Sequence, residues 1–139
     1  MNQAGWSRLL AVLDRAGEDR RRIADFPEYG KQDQLSRIIR EVLEKFSKVA
    51  TCLAQDMELI PDAGGGRRAL TFSSAPSAVA WDSCGRCWYP GQVGWVLLYD
   101  PCTRNGDLSA LPAESLEVYL EILLNGLTEL VNNSSRTKA

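Results

Sequence analysis

The chain has 139 residues, of which 45% are hydrophobic and 24% are charged, and its formal net charge at pH 7 is −2. This size and composition predict one globular domain with a single hydrophobic core, and the near-neutral charge argues against a nucleic-acid partner. The sequence has no histidine, which excludes a Ser-His-Asp or Cys-His nucleophile and imidazole ligands to zinc within this chain.

The first half of the chain has the apolar periodicity of two amphipathic helices. The first is predicted from about Gln3 to Gly17, with a continuation toward Ala24 left open. The second keeps one apolar stripe from Gln32 to Ile60, which at about 1.5 Å per residue would make a helix roughly 43 Å long. Because a compact domain of this size is narrower than that, we expect this helix to protrude, to bend or to contact a partner.

The middle of the chain has the composition of short strands separated by Ser, Pro and Gly clusters. An antiparallel meander of three or four strands is predicted, depending on whether Arg86–Tyr89 forms a strand. The run Trp95–Tyr99 is apolar without alternation, which favours a central strand that is covered on both faces. The predicted strands are Ala69–Ser73, Ala78–Trp81, Arg86–Tyr89 and Val93–Tyr99.

The last helix is predicted to begin at Pro112, a residue that the first turn of a helix tolerates, and to end near Val131. Its apolar residues spread well beyond one face, so we expect it to be mostly buried against the sheet. Residues 1–131 are thus predicted to form one domain, and 132–139 a flexible polar tail. The predicted fold class is α+β, with two N-terminal helices of which the second is long, a small antiparallel meander and one C-terminal helix packed on the sheet.

No stretch approaches the roughly 20 consecutive apolar residues that cross a bilayer, and Met1–Asp14 has an amphipathic pattern rather than that of a signal peptide. We therefore expect a cytoplasmic protein without a membrane partner. Because the cytosol is reducing, the cysteines are expected to be thiols or metal ligands rather than disulfides. They are Cys52, Cys84, Cys87 and Cys102.

Cys84 and Cys87 form a C-x-x-C motif in a turn between two predicted strands, with the spacing of half a zinc knuckle. Cys102 offers a third ligand, with Cys52 or an aspartate as the fourth. This ligand set is an incomplete signature, so packed thiols without a cofactor are the favoured interpretation and zinc is the alternative. A redox dithiol is disfavoured, because the residues after the motif do not predict the helix that such sites use.

Aromatic residues concentrate between Trp81 and Tyr99, where three of the four tryptophans lie. Rings of this kind fill the space between a sheet and its helices, which is the favoured interpretation. They also line pockets for small apolar ligands, and exposed rings at Trp88 and Tyr89 would instead indicate a partner surface. The candidate partner- or ligand-binding residues are Trp81, Arg86, Trp88, Tyr89 and Trp95.

The pattern as a whole favours a non-enzymatic interaction module with a protein partner, and no catalytic residue is assigned. An inhibitor, an adaptor or an immunity-type accessory protein of a mobile element would fit, with the long helix or the Trp-rich hairpin as contact surface. The partner could be a second copy of the chain, in a homodimer. Two other hypotheses are kept: a small-ligand-binding protein or enzyme with an aromatic pocket at Trp81–Tyr99, and a zinc-stabilised domain built on Cys84 and Cys87.

Overall fold

The computed structural model describes residues 3–50, 60–61, 68–74, 77–82 and 84–137. The described elements follow the predicted α+β order, with two helices, an antiparallel meander and a C-terminal helix. The helices are α1 (Gln3–Arg22), α2 (Glu28–Ala50) and α3 (Ala113–Thr137). The strands are β1 (Ile60–Pro61), β2 (Arg68–Ser74), β3 (Ser77–Asp82), β4 (Cys87–Pro90) and β5 (Trp95–Tyr99).

The apolar stripe of α2 is buried inside the molecule, where α2 contacts both α1 and α3. The helix is 23 residues long, or about 34 Å. Its stripe comprises Leu35, Ile38, Ile39, Val42, Leu43 and Phe46, all of them buried. Among the described residues, no helix is both long enough and apolar enough to span a membrane.

The predicted end of the second helix is wrong, because Ile60 lies in β1 and pairs with Ala69. The described helix ends at Ala50, and the predicted helical residues 51–59 lie outside the described residues. Spacing alone misplaced Ile60, since a short apolar run fits a helical stripe and a strand equally well.

The sheet has the strand order β1-β2-β3-β4-β5, and every neighbouring pair is antiparallel. Its four longer strands confirm the predicted meander, and β1 adds a two-residue edge strand. One face of the sheet packs against α3 through residues of β2 and β3, as predicted. We call this the inner face and the opposite one the outer face. Inner-face side chains include Leu70, Phe72, Val79, Trp81 and Cys87.

Strand β5 is an edge strand rather than the predicted central one. A β-bulge interrupts its alternation: Trp88 pairs with Leu97. The next pair is Cys87 with Tyr99, so Leu98 is an extra residue on β5. Leu98 and Tyr99 both reach the core. The apolar run at the end of β5 therefore reflects the bulge and not burial of both faces.

Helix α3 is longer than predicted, because it continues beyond Val131 to Thr137. Residues 132–137 are therefore helical, which corrects the predicted start of the polar tail. The prediction rested on the loss of apolar periodicity after Val131. The last turns of a helix need no buried face, however, and Asn132 and Asn133 are exposed.

Candidate functional site

The outer face of the sheet has a small apolar cluster of its own, separate from the main core. Ala69 and Ala80 are buried there, and Trp88 and Trp95, which are half-buried, pack against them. No residue of a described helix belongs to this cluster. Two of the predicted contact residues, Trp88 and Trp95, thus lie together on a face that the described helices do not cover.

The outer face is organised by Asp82, the last residue of β3, whose side chain is fully buried. Its Oδ1 accepts hydrogen bonds from the backbone N–H groups of Cys84 at 2.8 Å and Arg86 at 3.1 Å. Its Oδ2 accepts hydrogen bonds from Nε of Arg86 at 3.0 Å and from the indole N–H of Trp88 at 2.9 Å. Such charge-assisted bonds offset the cost of burying the carboxylate.

The turn from Asp82 to Arg86 explains the glycine inside the C-x-x-C motif. The N–H of Gly85 donates to the carbonyl of Asp82, and the N–H of Asp82 donates to the carbonyl of Arg86, both at 2.9 Å. Gly85 has a φ of +89°, a conformation that favours glycine. The hydroxyl of Ser47 in α2 donates to the carbonyl of Gly85 at 3.2 Å. The glycine inside the motif thus serves a turn that is joined to α2.

Trp88 is held in one orientation from two sides. Its indole N–H donates to Asp82, and the guanidinium carbon of Arg86 lies 5.3 Å from the centroid of its ring. The side chain of Arg86 is 20% exposed, and its Nη2 is buried with no hydrogen-bond partner among the described residues. Asp82 and Arg86 thus hold a half-buried tryptophan in one orientation.

The cysteines of the predicted zinc site have different surroundings. Cys84 is exposed in the turn, Cys87 is buried on the inner face, and Cys102 is exposed in the loop after β5. Burial raises the pKa of the Cys87 thiol to about 12, which opposes the thiolate form that zinc binds. In the described part of the chain, no three Cys, Asp or Glu side chains are placed to hold a metal. Cys52 lies outside that part, so the zinc site stays a prediction.

Trp81 and Tyr89, also predicted as contact residues, lie on the inner face. Trp81 is 2% exposed and packs on Phe46, with ring centroids 4.8 Å apart. The hydroxyl of Tyr89 donates to Asp107 at 2.7 Å, and its ring centroid lies 5.6 Å from that of Tyr119. The hydrogen bond to Asp107, together with burial, raises the pKa of Tyr89 to about 12. Trp81 contacts α2, and Tyr89 contacts α3 and the loop after β5. Trp81 is too buried to contact a partner.

Three further residues extend the outer face, and the sequence analysis did not select them. Pro90 pairs with Trp95, and Leu97 pairs with Trp88, so all four share this face. We call these four residues the tryptophan patch. Val93, in the hairpin loop beside it, is fully exposed. Alternation with a period of two from Trp88 would have placed Pro90 on the outer face. Placing Leu97 on that face requires the strand register that the bulge sets.

The carboxylate at the centre of this arrangement, that of Asp82, is fully buried and accepts four hydrogen bonds from other described residues, so it is sequestered from a substrate. Comparisons with models of protein families, with curated proteins and with solved structures found no match to this chain. Its function is therefore argued from the geometry of the site.

Proposed function

We propose that the protein is a non-enzymatic interaction module that binds a protein partner through the tryptophan patch. The proposal rests on the fixed orientation of Trp88, which Asp82 and Arg86 hold on a face outside the main core. Tryptophan and arginine are the residue types that most often dominate the binding energy at protein interfaces. A side chain that is ordered before binding also loses less entropy on association.

The hairpin supports this function better than the long helix does. The apolar stripe of α2 packs against α1 and α3, and a buried stripe is not available to a partner. The tryptophan patch joins half-buried Trp88, Trp95 and Leu97 to exposed Pro90. Contiguous apolar surface of this kind is typical of interaction sites. The class of function that we propose is an inhibitor, an adaptor or an immunity-type accessory protein.

A small-ligand pocket among the aromatic residues has less support. Grooves of about 310, 360 and 600 Å³ are lined by residues of the helices, of the turn between α1 and α2 and of β2, and none of these three is lined by a tryptophan. Trp81 and Tyr89 pack in the main core. Because small ligands bind in concave sites, these observations favour a protein partner over a small ligand.

Site-specific photo-crosslinking in the cells that produce the protein tests this function. A benzophenone amino acid at Val93, fully exposed beside the patch, should form a discrete covalent adduct with one partner protein. The same probe at Tyr29, which is 82% exposed at the start of α2, is the matched control and should not form that adduct. Trp95→Ala, which leaves the bonds of Asp82 intact, should abolish the adduct at Val93. Equal adducts at both positions, or none at Val93, would contradict the proposal.

A further inference from the structure

The sequence contains the dipeptide Asn-Gly twice, at residues 105–106 and 125–126. The first pair lies in the loop between β5 and α3, and the second lies in the middle of α3. An asparagine followed by glycine is chemically labile, because the glycine nitrogen can attack the asparagine side chain and glycine has no side chain that hinders the approach. The two pairs therefore place one chemistry in two different environments.

The loop pair presents its reacting groups to solvent. Asn105 and Gly106 are both exposed. Among the described residues, neither the side-chain amide of Asn105 nor the backbone N–H of Gly106 has a hydrogen-bond partner. Other atoms of Asn105 hold the loop: its N–H donates to the hydroxyl of Thr103 at 3.3 Å, and its carbonyl accepts the N–H of Asp100 at 2.9 Å. No hydrogen bond from the described chain thus competes with the attack.

The fold requires glycine at position 106. Its φ is +135°, which side chains of L residues rarely adopt, and a Cβ there would lie 2.3 Å from the carbonyl oxygen of Leu98. This close approach belongs to the loop that covers the edge of β5, where the N–H of Asp107 donates to the carbonyl of Leu97 at 3.1 Å. A bulkier residue, which would slow the attack on Asn105, is therefore excluded by the backbone conformation and by packing.

The helical pair has the same two residues in a protected arrangement. In an α-helix the N–H of each residue donates to the carbonyl four residues earlier, and Asn125 and Gly126 lie well inside α3. Gly126 also packs on Phe72, because a Cβ built at this glycine would lie 2.4 Å from Cδ1 of that ring. The attack at Asn125 therefore requires a turn of α3 to open first, and the contact with β2 opposes that opening.

We propose that Asn105 is a site of spontaneous covalent modification, where the side chain deamidates through a cyclic succinimide while Asn125 stays intact. The nitrogen of Gly106 attacks Cγ of Asn105 and forms a C–N bond, and the side-chain nitrogen leaves as ammonia with the proton of the Gly106 N–H. Water then opens the ring. Opening at Cγ gives aspartate, whereas opening at the main-chain carbonyl gives isoaspartate, whose chain continues through Cγ. Water is the co-reactant, and nothing is oxidised or reduced.

The isoaspartate product changes the loop that covers β5. Its main chain gains a methylene group within residue 105, and the carbonyl that accepts the N–H of Asp100 becomes part of a free carboxylate. Two residues later, Asp107 holds the loop to the sheet through its N–H and through its carboxylate, which accepts the hydroxyl of Tyr89 at 2.7 Å. Isoaspartate should therefore release the N–H of Asp107 from β5. This modification is independent of the tryptophan patch, and neither proposal requires the other.

The test keeps the folded protein for several days in mildly alkaline buffer and follows both asparagines by peptide mapping and mass spectrometry. Deamidation raises the mass of a peptide by about 1 Da. Asn105 should react at least about tenfold faster than Asn125, because a helical turn must open before Asn125 can react. In concentrated urea the two asparagines should react at similar rates, since the same dipeptide is then free at both positions.

A variant and a second measurement separate this site from the rest of the chain. Asn105→Gln keeps the backbone groups of the loop and should remove the mass increase at this position, because attack on the longer side chain needs a larger ring. The deamidated protein carries an added negative charge, so ion exchange separates it from the unreacted protein. In its isoaspartate form, the amide hydrogen of Asp107 should exchange with solvent faster than in the unreacted protein, whereas that of Val79 in β3 should not.

Four results would overturn the proposal. The first is an equal rate at Asn105 and Asn125 in the folded protein, which would mean that the loop restrains its pair as firmly as the helix does. The second is the same difference in rate in urea, which would assign it to neighbouring residues in the sequence rather than to the fold. The third is aspartate as the single product, because direct hydrolysis gives no isoaspartate. The fourth is unchanged hydrogen exchange at Asp107 in the isoaspartate form.

Discussion

Asp82 and Asp100 offer a comparison at the scale of single residues, because each accepts the backbone N–H of the cysteine two positions later. Asp82 is fully buried and also accepts hydrogen bonds from Arg86 and Trp88. The corresponding bond to Asp100 is exposed. The same local turn chemistry should therefore contribute very different amounts to stability at the two positions.

We expect Asp82→Ala to lower the free energy of unfolding by about 3–5 kcal/mol, because it leaves a largely buried guanidinium and an indole N–H without their acceptor. Asp100→Ala is the matched control and should cost about 1 kcal/mol or less. Urea denaturation followed by tryptophan fluorescence measures both changes. Equal losses of unfolding free energy in the two variants would show that the hydrogen bonds from Arg86 and Trp88 to Asp82 add nothing to stability.

Two tyrosines predict how stability changes in alkaline solution. Burial, together with the hydrogen bond that its hydroxyl donates to Glu44 at 2.7 Å, raises the pKa of Tyr99 to about 12. The hydrogen bond to Asp107 and burial raise the pKa of Tyr89 to about 12. The ordinary tyrosine pKa, which applies in the unfolded chain, is 10.0. The unfolded state therefore ionises first, so this contribution is complete below pH 10 and is lost as the pH rises to about 12.

The double variant Tyr89→Phe/Tyr99→Phe tests this dependence. At neutral pH it should be less stable by about 1 kcal/mol for each hydrogen bond removed. Between about pH 10 and pH 12 it should lose less stability than the unchanged protein, because it lacks the two hydroxyls whose pKa is raised by folding. Urea denaturation at several pH values in this range gives the slope of unfolding free energy against pH for each protein. Identical slopes would rule out the tyrosines as the source of the loss of stability at high pH.

Sequence reasoning selected Arg86, Trp88 and Trp95 as candidates but did not predict the hydrogen bonds by which Asp82 holds Arg86 and Trp88. A concentration of aromatic residues is visible in the sequence, whereas the bond from Trp88 to Asp82 depends on the turn that brings β4 beside β3. Trp81 was selected with the others although its side chain lies in the core. Its inward direction depends on the sheet register, and no local sequence pattern contains that register.

At the scale of whole elements, the helices could be predicted because each has a long apolar stripe with a period of 3.6 residues. Their ends were less predictable, as Ile60 in β1 and the extension of α3 to Thr137 show. Helix ends depend on contacts and turns that the apolar stripe does not record. Strand β5 marks a similar limit, since one inserted residue, Leu98, removed the alternation that distinguishes an edge strand from a central one.

The packing of α3 on β2 is so close at Gly126 that a methyl group would not fit without movement. A Cβ built there would lie 2.4 Å from Cδ1 and 2.9 Å from Cγ of Phe72. We expect Gly126→Ala to destabilise the protein by about 1–3 kcal/mol through overpacking, although alanine favours a helix by up to about 1 kcal/mol over glycine. Thermal unfolding measures the net change.

Gly17→Ala in α1 is the matched control, because nothing lies within 4 Å of a Cβ at that position. It should stabilise the protein by up to about 1 kcal/mol. Combining Gly126→Ala with Phe72→Ala should cost less than the sum of the two single losses, since the smaller side chain relieves the contact. If both glycine variants were stabilising, the close approach of α3 to β2 would be refuted.

At the scale of the whole molecule, one helical core supports an apolar surface on the outer face of the sheet. The helices bury their apolar stripes against one another and against the inner face of the sheet. The tryptophan patch is apolar and aromatic, and it lies on the outer face of the sheet. Salt screens exposed charges but leaves the burial of apolar surface largely unchanged. Binding through the tryptophan patch should therefore depend little on ionic strength.

We expect added sodium chloride to leave binding through the tryptophan patch largely unchanged. Raising its concentration from about 0.01 M to about 1 M shortens the Debye length from about 30 Å to about 3 Å. The yield of the Val93 adduct, measured in lysate adjusted to the same salt concentrations, should not fall. A several-fold fall in that yield would show that exposed charges, rather than the apolar patch, hold the partner.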